Sequence, residues 1–262
     1  MFAILRALFI LLGLFLFALL FFKGADDRQE HGRVSRAARK TAYLVLIVLI
    51  YLFFRGIGDH GLLDPIEGVN ASVALNMAMR RNFTVPMADG HLYLGNSMGY
   101  WWLSALSLSL PVFGWEEFSV RLCSVVGGLG MAAAGWFIAL RAYGERAANY
   151  AGVLIGSSLL VYATSQLASP HALYAFCVTL SLLGAVYALH DERFFTLLHV
   201  SAILAFVVYG PAGVVLPWLS LLIYALVTGQ ERFLARALSY WPGLLATALI
   251  GGSYIFFLKV KK

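Results

Sequence analysis

The sequence predicts an all-α polytopic integral membrane protein, and three observations lead to this fold class. Of its 262 residues, 61% are hydrophobic and 12% are charged, whereas an ordinary soluble domain carries about 25% charged residues. Mostly apolar runs recur along the whole chain, and a helix needs ~20 such residues to cross a bilayer. The basic residues behind the net charge of +6 lie in short loops between these runs. There they act as topology signals and contacts for anionic lipid, so nucleic acid is not an expected partner.

The N-terminal part predicts one span and one cytoplasmic loop. The apolar run of residues 7–22 lacks a small-residue cleavage site, which predicts a retained signal-anchor span within residues 1–22. Residues 23–40 carry six basic side chains against three acids. This bias places residues 23–40 in the cytoplasm and the N-terminus outside. A membrane domain of residues 41–262 follows, and its first span is residues 41–54.

The longest polar interruption, residues 55–117, predicts a loop on the outer face that carries juxtamembrane helices. Residues 70–81 have the composition of a short surface helix. Residues 100–113 are apolar but short, and could either span the membrane or lie against it. Residues 118–140 form a clear span that ends at the basic residues Arg141 and Arg146. One crossing then suffices to reach the cytoplasm, so residues 100–113 are placed on the outer side.

Five further spans complete a prediction of eight. After the span of residues 118–140, they are 150–165, 172–189, 194–209, 213–228 and 241–258. This topology puts Ser169 and His171 on the outer face and residues 230–236 in a cytoplasmic loop. It leaves the three C-terminal lysines outside, against the positive-inside rule.

A succession of short motifs runs in order from residue 62 to residue 235. They are DPIEG at 64–68, NFTVP at 82–86, YLGNS at 93–97, FGWEEFSVRL at 113–122, ASP at 168–170 and YGPAG at 209–213. These resemble the D-P-D-E-G, G-D-W-x-V-P, Y-F-E-K-P, F-G-x-x-E-F-x-V-R-L, L-D-P and K-G-P-x-G segments of GT-C glycosyltransferases of the aminoarabinose-transferase and protein-mannosyltransferase type. The resemblance implies a multi-span fold that takes a sugar from a polyprenyl-phosphate carrier at the outer face.

The chain departs from this pattern where the family carries its charges. Six charged residues of the family pattern are replaced in this chain. Ile66 and Ser169 stand where the family has aspartates, and Val69 stands where it has an arginine. Gly95 and Asn96 replace a glutamate–lysine pair, and Tyr209 replaces a lysine. A lipid-phosphate leaving group needs cations or a metal, and an acceptor needs a carboxylate to take its proton. The chain is also shorter than family enzymes, which continue with more spans and usually a soluble domain. We therefore expect a truncated, GT-C-like fold that serves as a non-catalytic subunit or scaffold and binds lipid under its outer loop.

The alternative is an active polyprenyl-phosphate-sugar transferase that uses Asp64 and Glu67. These two carboxylates are three residues apart and could form a pair for a metal or a general base. Glu67 could equally be a helix-start glutamate that the helix dipole stabilises. No cofactor is expected, and a divalent metal enters only under this alternative. The outer histidines His60, His91 and His171 match no metal-ligand spacing.

Candidate lipid contacts also lie in the outer loop. Arg80 and Arg81 could hold a lipid phosphate or contact headgroups. Tyr93, Tyr100 and Trp101 could stack on a sugar or isoprenoid, or could anchor the chain at the interface.

Two further pairs of residues have structural interpretations. Glu117 and Arg121 are four residues apart, which predicts a helical ion pair. Cys123 and Cys177 lie in predicted spans, where we expect small buried side chains rather than a disulfide or metal ligands.

These patterns together predict a location and a set of partners. We expect an integral protein of the bacterial inner membrane, with the N-terminus and the 55–117 loop on the periplasmic side. The expected partners are membrane lipids, including a polyprenyl phosphate, and other membrane-protein subunits.

Overall fold

The chain is almost entirely helical in a computed structural model that describes residues 36–63, 65–88, 90–93, 98–109 and 116–259. The helices, numbered in chain order, are α1 (Arg36–Phe54), α2 (Ile66–Arg80), α3 (Met98–Ser109), α4 (Glu116–Tyr143), α5 (Glu145–Ser157), α6 (Leu159–Gln166), α7 (His171–Ala188), α8 (Phe195–Tyr209), α9 (Ala212–Thr228), α10 (Glu231–Ser239) and α11 (Trp241–Lys259). A 3₁₀ turn, Glu192–Phe194, leads into α8. The signal-anchor span predicted for residues 1–22, and residues 23–35 of the basic loop, lie outside the described residues.

Three helical segments of the described chain are long and apolar enough to cross a membrane. They are Glu117–Tyr143, His171–Ala188 and Glu192–Tyr209. Tyr43–Phe54 and Ala212–Thr228 are shorter apolar helices. Their bounds agree closely with the predicted spans, because apolar length is a local property of the sequence.

The predicted span 150–165 is a broken helix. Glu145–Ser157 and Leu159–Gln166 are bent by 52° at Ser158, and would make a fourth span if the bent pair crosses as one. The Ser158 backbone has φ −59° and ψ 126°, an extended conformation that interrupts the helical hydrogen bonds. Residues 231–236 of the predicted loop 230–236 belong to the short helix α10, and Gln230 caps its N-terminus.

Helix α4 is the centre of the bundle and packs against α7, α5, α3 and α6. Its approach to α7 is close because Gly127 faces the α7 backbone. A Cβ added at Gly127 would lie 2.6 Å from the backbone nitrogen of Leu173, so a side chain there would force the helices apart. This tight contact fixes the start of α7, and with it the preceding segment 167–170, against α4.

The segment between α1 and α4 lies at one end of this bundle and contains two short helices and a hairpin. Helix α2 starts at Ile66, four residues before the predicted surface helix, and packs on α3. Strands β1 (Met87–Ala88) and β2 (His91–Leu92) pair antiparallel, with Met87 opposite Leu92. The Asp89-Gly90 dipeptide between them is a hairpin signal. Helix α3 covers Met98–Ser109, whereas the end of the predicted segment 100–113 lies outside the described residues.

Candidate functional site

The segment between α1 and α4 corresponds to the predicted outer loop and is called the outer segment below. A buried ion pair between Glu67 and Arg121 joins this segment to the helical bundle. Arg121 Nε lies 2.9 Å from Glu67 Oε1, and Arg121 Nη2 lies 2.9 Å from Glu67 Oε2. The two planar groups therefore meet through two parallel hydrogen bonds, the strongest geometry for a guanidinium and a carboxylate. Glu67 is 1% exposed and Arg121 is 3% exposed, so this pair is shielded from solvent.

The remaining Arg121 donors bind the backbone that follows α1. Nη1 donates to the carbonyl oxygens of Ile57 and His60, both at 2.8 Å, and Nη2 donates to Gly61 O at 2.9 Å. A guanidinium has five N–H groups, and all five are used here. Arg121 thus fixes the path of residues 57–61 over the N-terminal end of α4.

The Glu67 carboxylate accepts two further bonds, both from backbone N–H groups. The Leu63 N–H donates to Oε2 at 2.8 Å, and the Ala168 N–H donates to Oε1 at 2.5 Å. Burial by itself raises the pKa of Glu67. The hydrogen bonds from Arg121, Ala168 and Leu63 outweigh burial and hold this pKa below its usual value.

This arrangement decides what Glu67 can do chemically. Each carboxylate oxygen already accepts two hydrogen bonds, and the lowered pKa makes the group a weaker base. A general base needs a free lone pair directed at a substrate, which Glu67 lacks. Glu67 is therefore a structural junction between α2, α4, the 57–63 segment and the 166–168 segment. Asp64, its predicted partner in a carboxylate pair, lies outside the described residues.

The predicted ion pair between Glu117 and Arg121 is wrong. Arg121 turns into the protein and binds Glu67, which is 54 residues away in sequence, while Glu117 stays partly exposed one turn earlier on α4. Burial drives this choice, because a charge enclosed by the bundle must be paired and fully hydrogen-bonded. A sequence signal existed: Arg121 is a cation inside an apolar run, where an unpaired charge would be costly.

A second buried polar layer lies beside the ion pair. Trp101 Nε1 donates to Asn70 Oδ1 at 2.9 Å, and Asn70 Nδ2 donates to Ala168 O at 3.0 Å. Tyr100 Oη donates to Val120 O at 3.0 Å, and Ser124 Oγ donates to the carbonyl of Ser169 at 2.9 Å. The 168–169 segment is thus held by α2 on one side and by α4 on the other.

Tyr100 and Trp101, predicted as lipid, sugar or interface contacts, occupy a different environment. Tyr100 is fully buried and Trp101 is 1% exposed, because both rings fill the space between α2, α4 and α7 and find their polar partners there. They cannot present a ring face to a ligand in this conformation. Tyr93 is exposed, and its ring meets the edge of Trp101 with centroids 5.6 Å apart.

Arg80 and Arg81 are exposed at the C-terminal end of α2. Arg80 Nη1 lies 3.2 Å from the sulfur of Met87. Arg81 ends the helix in the left-handed conformation, with φ 51° and ψ 30°. Both side chains are exposed, and the two residues lie at one corner of the outer segment.

The sequence comparison decides the family. Residues 97–255, more than half of the chain, match the family described as dolichyl-phosphate-mannose-protein mannosyltransferase. The chain belongs to this mannosyltransferase family. The expected GT-C glycosyltransferase type, with aminoarabinose-transferase relatives, is confirmed.

Individual relatives of this mannosyltransferase-family chain agree with that assignment. The chain is 29% identical over 221 residues to an uncharacterized protein of Aquifex aeolicus, covering 83% of this chain and 44% of that protein. It is 28% identical over 196 residues to the undecaprenyl phosphate-alpha-4-amino-4-deoxy-L-arabinose arabinosyl transferase of Pseudomonas aeruginosa, covering 72% of this chain and 35% of the relative. The chain thus spans less than half the length of each of these two relatives.

A solved structure shows the same fold. The crystal structure of ArnT from Cupriavidus metallidurans bound to undecaprenyl phosphate superimposes with a TM-score of 0.79 at 20% identity, covering 86% of this chain and 42% of ArnT. Together with the apolar helices, the family and this fold establish an integral membrane protein of the GT-C type.

The positions where the mannosyltransferase-family pattern has charges are uncharged here, and the structure describes most of them. Ile66 is exposed on the first turn of α2, and Val69 is partly buried. Ser169 is 1% exposed, and its Oγ has no hydrogen-bond partner among the described residues. Tyr209 stacks on Tyr174 with centroids 4.8 Å apart. Asn96 lies outside the described residues.

The described part of the chain contains no cluster of side chains that could form a metal site. No group of three or more His, Cys, Asp or Glu side chains there could hold a metal ion. His60 lies in the segment after α1, His91 lies on β2, and His171 begins α7 beside the Tyr209 ring at 5.4 Å between centroids. Cys123 and Cys177 are free thiols.

Proposed function

We propose that this chain is a non-catalytic GT-C-type membrane protein that binds lipid at its outer face and works within a larger membrane complex. The observation that carries the proposal is the commitment of Glu67, the described carboxylate of the first motif, to four structural hydrogen bonds. With Ile66, Val69, Ser169 and Tyr209 at the other motif positions that the structure describes, none of these positions offers a free charge to bind a leaving phosphate or to deprotonate an acceptor.

The proposed ligand is a polyprenyl phosphate. Its support is the family membership, together with the ArnT structure that was solved with undecaprenyl phosphate bound. In this chain the lipid would lie under the outer segment, and the exposed side chains Arg80, Arg81 and Tyr93 are the candidates to contact it. The buried Tyr100 and Trp101 would act indirectly, by holding α3 against α2 and α4.

The proposed topology has eight spans in the bacterial inner membrane. It comprises a signal-anchor span within residues 1–22, a basic cytoplasmic loop at 23–40, and a membrane domain from residue 41 that carries the outer loop 55–117. The N-terminus and that loop would face the periplasm, because the basic loops between spans favour the cytoplasm.

The test compares binding with sugar transfer. The full-length protein is purified from native membranes, and native mass spectrometry records its bound lipids and any copurifying subunits. We expect a retained polyprenyl phosphate and stoichiometric partner subunits. Incubation with polyprenyl-phosphate sugars and extracted membrane acceptors should give no transfer above a protein-free control. Isolation of a lone monomer without lipid would contradict the proposal.

An active transferase using Asp64 and Glu67 is the competing function. It predicts sugar transfer that disappears in Asp64→Ala while the thermal stability of the variant stays that of the wild type. Asp64 serves this test better than Glu67, because replacing Glu67 also breaks the buried ion pair. A matched Asp59→Ala variant in the same loop should retain the transfer. This outcome would establish catalysis and refute the scaffold role.

A further inference from the structure

One arginine in the outer segment stands at a position whose backbone conformation suits glycine. Arg81 is the only non-glycine residue with a positive φ among the described residues, at φ 51°. Its N–H donates to Ala78 O, and the Asn82 N–H donates to Met77 O at 3.2 Å. These two bonds form the Schellman motif that ends many helices, in which glycine usually occupies the left-handed residue.

This conformation has an energetic cost for arginine. In the left-handed region the Cβ of any L-residue crowds the following carbonyl, which glycine avoids. A charged side chain near a helix C-terminus does gain from the helix dipole, but Arg80 in the last turn of α2 already supplies that charge. Strained residues of this kind concentrate at functional sites, so the Arg81 guanidinium is expected to make a compensating contact outside the chain.

The surroundings of Arg81 indicate the chemistry of that contact. Met79 is 75% exposed, and Phe83 and Trp102 are exposed beside it. Trp102 Nε1 donates to Phe83 O at 2.7 Å, which fixes the chain after Arg81 to helix α3. Two guanidinium groups next to exposed sulfur, phenyl and indole groups match the boundary between phosphate headgroups and acyl chains. One acid, Asp89, is close in sequence and lies outside the described residues.

We propose that this corner, defined by Met79, Arg80, Arg81, Phe83 and Trp102, docks on anionic phospholipid headgroups and that Arg81 is its principal phosphate contact. The proposal goes beyond the polyprenyl-phosphate binding proposed above, because it assigns the exposed arginines to the phospholipids of the surrounding membrane. The openness of the corner favours the membrane surface over an enclosed single-lipid site. An Arg–phosphate pair can form two parallel hydrogen bonds, and its charge is attracted to an anionic leaflet.

The test uses Arg81→Gly, which suits the backbone conformation and therefore folds. The wild type, Arg81→Gly and the control Arg232→Gln, which removes an exposed charge from α10, are placed in nanodiscs. One set contains phosphatidylcholine alone, and the other also contains phosphatidylglycerol. Hydrogen–deuterium exchange of residues 82–93 reports docking locally, and thermal unfolding reports stability.

In phosphatidylcholine, Arg81→Gly should unfold roughly 2–4 °C above the wild type, because the left-handed residue is no longer strained. Phosphatidylglycerol should slow exchange at residues 82–93 in the wild type and in Arg232→Gln, and added salt should reverse this effect. The same lipid should leave exchange in Arg81→Gly unchanged. The variant therefore gains stability and loses its response to anionic lipid.

Three results would overturn the proposal. They are a wild-type segment that does not respond to phosphatidylglycerol, an Arg81→Gly variant that responds as the wild type does, and an Arg81→Gly variant that is less stable in phosphatidylcholine. A polyprenyl phosphate is added to phosphatidylcholine nanodiscs as a separate arm. Protection by this lipid alone would assign Arg81 to the single-lipid site instead. Failure of polyprenyl phosphate to bind any variant would refute the proposed function and leave the docking corner standing.

Discussion

Replacing Glu67 with glutamine tests the structural role of the buried ion pair. Glutamine keeps the shape of the side chain but removes its charge and turns one acceptor oxygen into a donor NH₂ group. That NH₂ group would face Arg121 and a backbone N–H, which are donors themselves. The guanidinium would remain buried, held by the carbonyls of Ile57, His60 and Gly61 but without a counter-charge.

The expected loss of stability is large for a substitution that replaces one oxygen with an NH₂ group. Removing one partner of a buried pair typically costs about 3–5 kcal/mol. Since ~1 kcal/mol shifts the melting temperature of a chain of this size by roughly 2–4 °C, Glu67→Gln should unfold about 6–20 °C below the wild type. The measurement is thermal unfolding in a mild detergent, followed by intrinsic tryptophan fluorescence.

A surface ion pair supplies the matched control. Arg236 Nη1 lies 3.0 Å from Glu192 Oε1, and both side chains are more than half exposed. Such pairs contribute about 0–1 kcal/mol, so Arg236→Gln should change the melting temperature by only a few degrees. Equal melting temperatures for Glu67→Gln and the wild type would refute the assignment of Glu67 to structure and reopen the case for catalysis.

Two further predictions follow from described contacts. The pKa of Glu67 is lower in the folded chain than its ordinary value of 4.5, so its contribution to the free energy of unfolding is complete above that value. This contribution is lost as pH falls from 4.5 through the folded-state pKa. Measuring the free energy of unfolding of the wild type and of Glu67→Gln against pH isolates the loss. Two parallel curves of stability against pH would contradict the prediction. Gly213→Ala should destabilise strongly, because its Cβ would clash with the backbone of Ala205. The control Gly252→Ala, whose Cβ would meet nothing within 4 Å, should stabilise α11 by roughly 1 kcal/mol. Thermal unfolding compares the two variants. Similar shifts in their melting temperatures would contradict the close packing of Gly213 on Ala205.

The helices of the bundle were predictable from sequence because apolar length and periodicity are local properties. The segment 172–189 corresponds to α7 (His171–Ala188), and 213–228 corresponds to α9 (Ala212–Thr228). The break at Ser158 was missed, since the run through it stays apolar. Helix α10 was missed because its charges suggested a loop, although Phe233 and Ala237 fall on one face and are buried.

The candidate site was predictable in part. The order of the motifs identified the outer loop and Glu67 as parts of the candidate site, because the residues within each motif are close in sequence. The partner of Glu67 was not predictable by local rules, because helical spacing offered Arg121 a nearer acid in Glu117. The burial of Tyr100 and Trp101 was missed for a related reason. Aromatic residues at a span entrance satisfy the pattern for interface anchoring, and only the positions of α2 and α4 reveal that they are enclosed.

The junction at Glu67 sets an order of events during synthesis of the chain. Arg121 emerges 54 residues after Glu67, and the Ala168 N–H follows 101 residues after it. At 5–20 residues per second, the carboxylate waits roughly 5–20 s for its last partner. The outer segment can therefore reach its final arrangement only after α4, α5 and α6 have been made. Ribosome-bound chains that end before Ala168 should leave this segment open to protease, whereas longer chains should protect it.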